Sequence, residues 1–373
     1  MSFLDVIKKY PAPGIDAFVY GVKPADVQRV LAKDTLGPMD YLTLLSPAAS
    51  EFLEQMARRA HELTIRQFGK TILLFTPMYL SDHCVNQCRY CGFNKSVAME
   101  RSRLSPDEVD LEASAIAETG LKHILILTGE SRNMSGPDYL KDCVRRLSRY
   151  FTSIAIEIYP LETLEYRELI EEGVDAFTLY QETYNQGLYD MLHVKGPKKN
   201  YHYRLDTPER ACIAGMRAVN VGALLGLDVF HRDAFMTGLH ASYLQKSYPA
   251  VDISVSFPRM RPHSGEFQAD HPVTDRALVQ AVTALRLFMP RAGITLSTRE
   301  TAAFRNNVFP LGVTRMSAGS STRVGGHSGS QQNKGQFDIS DERSVEEMEN
   351  DLKSFGYQPV YKDWQPFEQR NMA

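Results

Sequence analysis

No stretch of this 373-residue chain approaches the ~18 consecutive apolar residues of a membrane-spanning helix. Its opening, Met1 to Asp5, lacks the basic region and long apolar core of a secretory signal. Neither sign of charge dominates: the net charge is −3 and the pI about 6.4, so nothing in the composition points to a nucleic-acid or anionic-membrane partner. Cysteine is scarce and odd in number, five in all with three crowded together, which argues against a disulfide framework. A reducing, cytoplasmic setting is expected. The hydrophobic content of 43% is ample for a large core.

What is present is concentrated in one loop. Cys84, Cys88 and Cys91 form a CxxxCxxC run directly after an apolar segment, Thr71 to Leu80, that reads as a buried strand. Thiolate is the ligand that iron–sulfur clusters take, and four protein ligands is the usual complement. Three thiolates therefore predict a cubane with one iron left open for a small molecule, a catalytic rather than electron-storing arrangement. A zinc site is the competing reading. Structural zinc is four-coordinate, and its fourth ligand would have to be Cys143, Cys212 or a histidine such as His83, none at a familiar spacing. Three unrelated core thiols are a third.

Around that loop the sequence alternates short apolar strands with amphipathic helices. Residues 1–70 read as an N-terminal helical extension, with helices starting at Pro24 and at Ser46-Pro47, the second running to Gly69. Strands are then predicted over Thr71–Leu80, His123–Thr128, Ile154–Tyr159, Ala176–Gln181, Val221–Leu227, Ile253–Phe257, Ile294–Thr298 and Val313–Ser317. The helix opening at Ser105-Pro106-Asp107-Glu108 carries a capping box. This alternation predicts an α/β (β/α)8 barrel over 71–319. A doubly wound sheet is the runner-up, but it expects a glycine fingerprint after its first strand, where this chain has cysteines. Residues 320–373 read as a flexible Gly/Ser/Asn/Gln-rich loop and a tail packed on the barrel. Polar residues recur at strand ends: Gly129-Glu130, Glu157, Gln181-Glu182, Arg259 and Arg261, Arg299-Glu300 and Ser317. In barrel enzymes that rim carries the active site.

The cysteine motif, with an aromatic residue before its third cysteine, resembles that of the radical S-adenosylmethionine (radical SAM) enzymes. Cys91-Gly92-Phe93, Thr128-Gly129-Glu130, Tyr180 to Tyr184, Ser254 to Arg259 and Ser297 to Glu300 together resemble the 2-iminoacetate synthases, the tyrosine lyases of bacterial thiamine thiazole biosynthesis. The likeness runs from about residue 20 to Lys362-Asp363-Trp364.

That resemblance implies a 4Fe–4S cluster on Cys84, Cys88 and Cys91 and S-adenosylmethionine as cofactors. It implies Cα–Cβ cleavage of L-tyrosine to 2-iminoacetate and p-cresol. Thr128, Gly129 and Glu130 would hold the SAM amino group, a charge-assisted contact. Tyr90 would approach the adenine, chiefly through its backbone, Glu157 the ribose hydroxyls and Arg204 the SAM carboxylate. Arg299 would clamp the substrate carboxylate with its planar fork, completed by Tyr79 and Ser317. The ordinary alternatives are core packing for Tyr79, a surface ion pair for Arg299 and a loop cap for Ser317. Thiazole synthase is the expected recipient of the product, and a flavodoxin or ferredoxin the electron donor.

Other readings stay open at this stage. A tryptophan lyase shares the clamp. The tyrosine lyase of hydrogenase maturation has a second cluster site, whereas the last cysteine here is Cys212. Biotin synthase is more distant, needing a second cluster bound within its barrel. A non-enzymatic iron–sulfur or zinc module would saturate its ligands and hold no SAM.

Overall fold

The structure, a computed structural model, describes residues 2–260, 267–329 and 335–362; Arg261 and Trp364 lie outside them. Eight parallel strands form the centre: β1 (Thr71–Ser81), β2 (His123–Thr128), β3 (Ser153–Glu157), β4 (Val174–Glu182), β5 (Ala218–Ala223), β6 (Asp252–Ser256), β7 (Gly293–Leu296) and β8 (Arg315–Ser317). Neighbours in sequence pair side by side, and β1 pairs with both β2 and β8, so the sheet closes into the expected barrel. Side chains alternate between the two faces of each strand. Ile124 and Ile126 of β2 are fully buried, while Leu125 and Leu127 line the barrel cavity.

The helix punctuation holds. The Ser105 hydroxyl accepts from the Glu108 N–H while the Glu108 carboxylate accepts from the Ser105 N–H at 2.7 Å. Several element bounds differ from expectation; the third strand, for one, ends at Glu157 rather than Tyr159. The segment after Ser46 begins as a 3-10 turn, Pro47–Phe52, before the α-helix Leu53–Phe68. The fifth strand starts at Ala218 rather than Val221 and ends at Ala223, because Asn220 finds buried partners in Ser254 and Ser256 on β6. The apolar run beyond it walls the cysteine loop instead: Leu224 and Leu227 pack with Cys88 and Tyr90. A further short strand, β9 (Gln358–Val360), pairs parallel with the start of β1.

The N-terminal helices cover the outer layer. Tyr41 stacks on Phe288 with ring centroids 4.7 Å apart, and its hydroxyl donates to the Ala234 carbonyl. A β-carbon on Gly238 would lie 2.4 Å from the Tyr41 ring, so glycine there lets the two helices meet. Helix Phe230–Ser247 is thereby sandwiched and buried almost all round, which erases the amphipathic pattern a surface helix shows.

Two irregularities fall where the site is built. The β1–β2 register shifts between Tyr79 and Ser81, and the β4–β5 register between Tyr180 and Glu182. Such bulges re-aim side chains at barrel rims. Glu182 adopts φ +73°, the one positive φ outside glycine among the described residues, a left-handed conformation that costs an ordinary residue about 1–3 kcal/mol.

The chain after β8 returns over the barrel mouth. Val324 bridges to Tyr79, the buried Glu112 carboxylate accepts from the His327 N–H at 3.0 Å, and the His327 ring contacts the Pro77 carbonyl. Gln336 and Phe337 then join to Thr322 through the Gln336 N–H and the Phe337 carbonyl.

Candidate active site

The cysteine loop lies against a second segment far away in sequence. The N–H of Gln87 donates to Lys195, that of Arg89 to Leu192 and that of Val194 to Gln87, with an antiparallel bridge between Cys88 and His193. His193 is held by both ring nitrogens: Nδ1 donates to the Tyr189 carbonyl, so Nε2 accepts from the Tyr90 hydroxyl, each at 2.7 Å. Burial pushes this imidazole down to about 3, keeping it neutral. Tyr90 is thus fixed by its side chain and presents its backbone to the loop.

Cys84, Cys88 and Cys91 line one cavity with Thr128, Gly129, Glu130, Glu157 and Arg204. Burial pushes the Cys88 and Cys91 thiols up. Iron would have to displace those protons, as thiolate ligation always does. Among the described residues no three His, Cys, Asp or Glu side chains close on a single ion position. A four-iron cubane asks for something else, thiolates spread around a core, and the shared cavity wall supplies that. The Thr128 hydroxyl is buried with no partner among the described residues, a polar atom that a ligand amino group would satisfy. The donors present fit a cluster and SAM.

Gly129 marks how tightly this corner is built. A β-carbon there would sit 2.4 Å from the His83 carbonyl oxygen, next to the first cysteine. We predict that Gly129→Ala displaces the cysteine loop, lowering iron bound per chain after reconstitution several-fold. Iron analysis of the two proteins side by side checks it.

Residues with no motif of their own complete the wall. Asn86, buried beside Cys84, donates to Glu130 at 2.6 Å and accepts from the Lys198 N–H at 3.0 Å. The Lys198 ammonium pairs with Glu182 at 2.6 Å, and Arg204 reaches the same carboxylate at 3.3 Å. Burial alone would raise the Glu182 carboxyl, but Lys198 and Arg204 outweigh it and hold it below its usual range. Arg204 also donates twice to the Tyr180 carbonyl, at 2.9 and 2.7 Å. Two of its nitrogens are therefore engaged by protein. Lys198 is the second cation on this wall, and only its distant pairing with Glu182 and Asn86 gives it away.

The predicted clamp comes together. Tyr79, Arg299 and Ser317 line one barrel cavity with Glu157, Tyr180, Leu125, Leu127 and Phe257. The Ser317 hydroxyl accepts from the Thr298 N–H at 3.0 Å. The Arg299 guanidinium lies 3.4 Å from the centre of the Phe337 ring. Tyr79 donates to the Gln336 side chain at 2.8 Å, and Gln336 in turn reaches the Cys91 sulfur at 3.7 Å. Glu157 and Tyr180 border this cavity, the cysteine cavity and a third that joins them under Gln336 and Phe337. Burial pushes the Glu157 carboxyl up to about 7 despite the opposing charge of Arg299. The sequence placed Tyr180 only inside a motif and Glu182 among the polar strand ends, and gave no sign of Gln336 or Phe337.

Comparison with known proteins agrees with the family resemblance. Residues 78–236 match the model of the radical SAM superfamily, and residues 256–358 match the biotin and thiamin synthesis associated domain. The chain is 40% identical over 350 residues to a 2-iminoacetate synthase of Escherichia coli K12, covering 94% of this chain and 93% of that protein. It is 39% identical over 364 residues to a 2-iminoacetate synthase of Salmonella typhimurium LT2, covering 97% of each. Among solved structures it is similar to HydG, a maturase of the [FeFe]-hydrogenase. The TM-score is 0.88 at 29% identity, covering 94% of this chain and 80% of that one.

Proposed function

This chain belongs to the 2-iminoacetate synthase family of radical SAM enzymes, and from that membership we propose that it cleaves the Cα–Cβ bond of L-tyrosine to 2-iminoacetate and p-cresol for thiazole formation. The observation that carries the reading is the shared wall: a three-thiol cavity and an Arg/Tyr/Ser cavity meet at Glu157 and Tyr180. When bound, the family's 4Fe–4S cluster and SAM supply a 5′-deoxyadenosyl radical.

The chain's own residues do the rest. Cys84, Cys88 and Cys91 hold the cluster. Thr128, Gly129 and Glu130 receive the SAM amino group, Tyr90 the adenine and Glu157 the ribose, with Arg204 and Lys198 as cations for its carboxylate. Arg299 takes the substrate carboxylate. Tyr79 and Ser317 add hydroxyls, and burial holds the Tyr79 phenol protonated, able to donate. Held so, the substrate's amino group would face the wall shared with the cysteine cavity at Glu157 and Tyr180. Leu125, Leu127 and Phe257 keep water from an imine that hydrolyses readily.

The product's lability makes thiazole synthase the fitting recipient. An acidic flavodoxin or ferredoxin fits as donor in a reducing cytoplasm. No helix among the described residues is long and apolar enough to cross a membrane. The test is an anaerobic assay of the iron- and sulfide-reconstituted protein with SAM, dithionite and L-tyrosine. We expect 5′-deoxyadenosine, p-cresol and glyoxylate from the hydrolysed imine. Deoxyadenosine without p-cresol, or turnover of tryptophan in place of tyrosine, would overturn the substrate assignment.

A further inference from the structure

The segments 83–99 and 191–205, which the cysteine loop brings together, contain no aspartate or glutamate in a chain whose net charge is −3. Two of their cations, Lys198 and Arg204, turn inward to Glu182. The other four, Arg89, Lys95, Lys195 and Lys199, are exposed. None forms a salt bridge with a carboxylate among the described residues. The same two segments carry three exposed apolar side chains, Val85 at 39%, Met191 at 61% and Val194 at 46%. Val194 lies within the ribbon formed by Gln87–Lys195 and Arg89–Leu192 pairing, with Met191 next to it in sequence. In sequence the two segments are flanked by Asp82 and Glu100 and by Asp190 and Asp206.

We propose that this face of the cysteine ribbon is the docking surface for a small acidic one-electron carrier protein. Exposed apolar residues together with unneutralised cations are the make-up of a transient interface, with the charges steering encounter. Its position supplies the second argument. The ribbon that bears the patch is the loop that bears the three thiols, so a carrier seated there meets the segment that holds them. The inference rests on the function proposed above, whose balance calls for repeated delivery. Cleaving SAM takes one electron, returned as no product. Tyrosine then loses one hydrogen atom to the deoxyadenosyl radical, and the 4-hydroxybenzyl fragment needs one electron and one proton to become p-cresol. Each turnover therefore draws two electrons, passed singly through the cluster, and the carrier is oxidised by one electron on each visit.

The test uses the reconstituted full chain and a purified acidic flavodoxin, with dithionite as a small reductant that needs no docking surface. Cluster reduction is followed by electron paramagnetic resonance, alongside iron content. For Lys195→Glu combined with Lys199→Glu, we expect the second-order rate of reduction by flavodoxin to fall about tenfold or more at low salt. The difference should shrink as salt screens it, while reduction by dithionite and bound iron stay unchanged. Lys95→Glu, on the other segment, should move the same way. Equal flavodoxin rates for variants and parent would overturn the proposal. If dithionite reduction also falls, the lysine-to-glutamine versions replace the glutamates and the same comparison decides. Because reduction of the cluster is read directly, a protein that makes no p-cresol refutes the substrate assignment without touching this result.

Discussion

Cys88→Ala is expected to abolish formation of 5′-deoxyadenosine and p-cresol together, beyond the ~100-fold loss that removal of an outer-shell partner brings. Cys88 is the most enclosed of the three thiols, only 4% exposed and packed among Tyr90, Leu192, Leu224 and Leu227. Its place in the fold is nonetheless held by backbone, through the bridge to His193 and the flanking Gln87–Lys195 and Arg89–Leu192 bonds. Alanine removes the sulfur and keeps those bonds. The apo variant should therefore unfold within about 1–2 kcal/mol of the apo parent, the scale of a small buried side-chain truncation, while binding far less iron on reconstitution. Cys143→Ala and Cys212→Ala are the controls. Both thiols are buried in helices away from the cavity, and both variants should keep their iron and their activity. Loss of activity in Cys143→Ala or Cys212→Ala, or full iron loading in Cys88→Ala, would show that the cluster sits elsewhere.

How much of this was legible beforehand depends on how local each cause is. The cysteine spacing, the capping box at Ser105 and the polar residues at strand ends are local patterns, and the barrel places Tyr79, Arg299 and Ser317, which the family resemblance singled out, on one wall. Asn86 and Lys198 were not legible, because their roles arise from a ribbon joining residues more than a hundred positions apart. The fifth strand was misplaced for a physical reason. Hydrophobicity marks burial rather than strand, and Leu224 and Leu227 are buried against the cysteine loop after the strand has ended. The bulge at Gln181 and the left-handed Glu182 coincide with the ion group that Glu182 forms with Lys198 and Arg204. Local propensity opposes that conformation, so sequence preference and structure part company at the site itself. Composition also made 320–343 look loosely attached, yet Glu112, a residue inside an outer helix, holds His327 and Ser328 from below.

That returning segment ends on the second large effect. Arg305 and Asp341 are both essentially inaccessible, at 0% and 1% exposure, and pair directly. The same guanidinium donates to the carbonyl of Ser317, while Ser340 and Asp341 donate to the carbonyl of Thr298. One buried ion pair thus ties the roof of the chamber to β8 and to the loop that carries Arg299. Burial pushes the Arg305 guanidinium down to about 10, still charged at neutral pH. Asp341→Ala would leave that charge unpaired and facing Arg343, and should destabilise the protein by about 3–5 kcal/mol. Denaturant unfolding of the apo protein measures this; a change below about 1 kcal/mol would mean that water reaches the pair. Adding Arg305→Leu to Asp341→Ala should restore most of the loss, because replacing a buried pair by apolar side chains is close to neutral. The pH dependence has a definite sign. Burial would raise the Asp341 carboxyl, but Arg343 and Arg305 outweigh it and hold it below its usual value. Between the folded and unfolded values the unfolded chain binds the extra proton, so stability rises with pH there. The pair's contribution is complete above the ordinary aspartate value near 4 and is lost as pH falls through the depressed one. In the double variant that acid-side slope should flatten. Product formation should recover less than stability does, since Ser317 and the Thr298–Arg299 turn would have lost the charged anchor that sets their position.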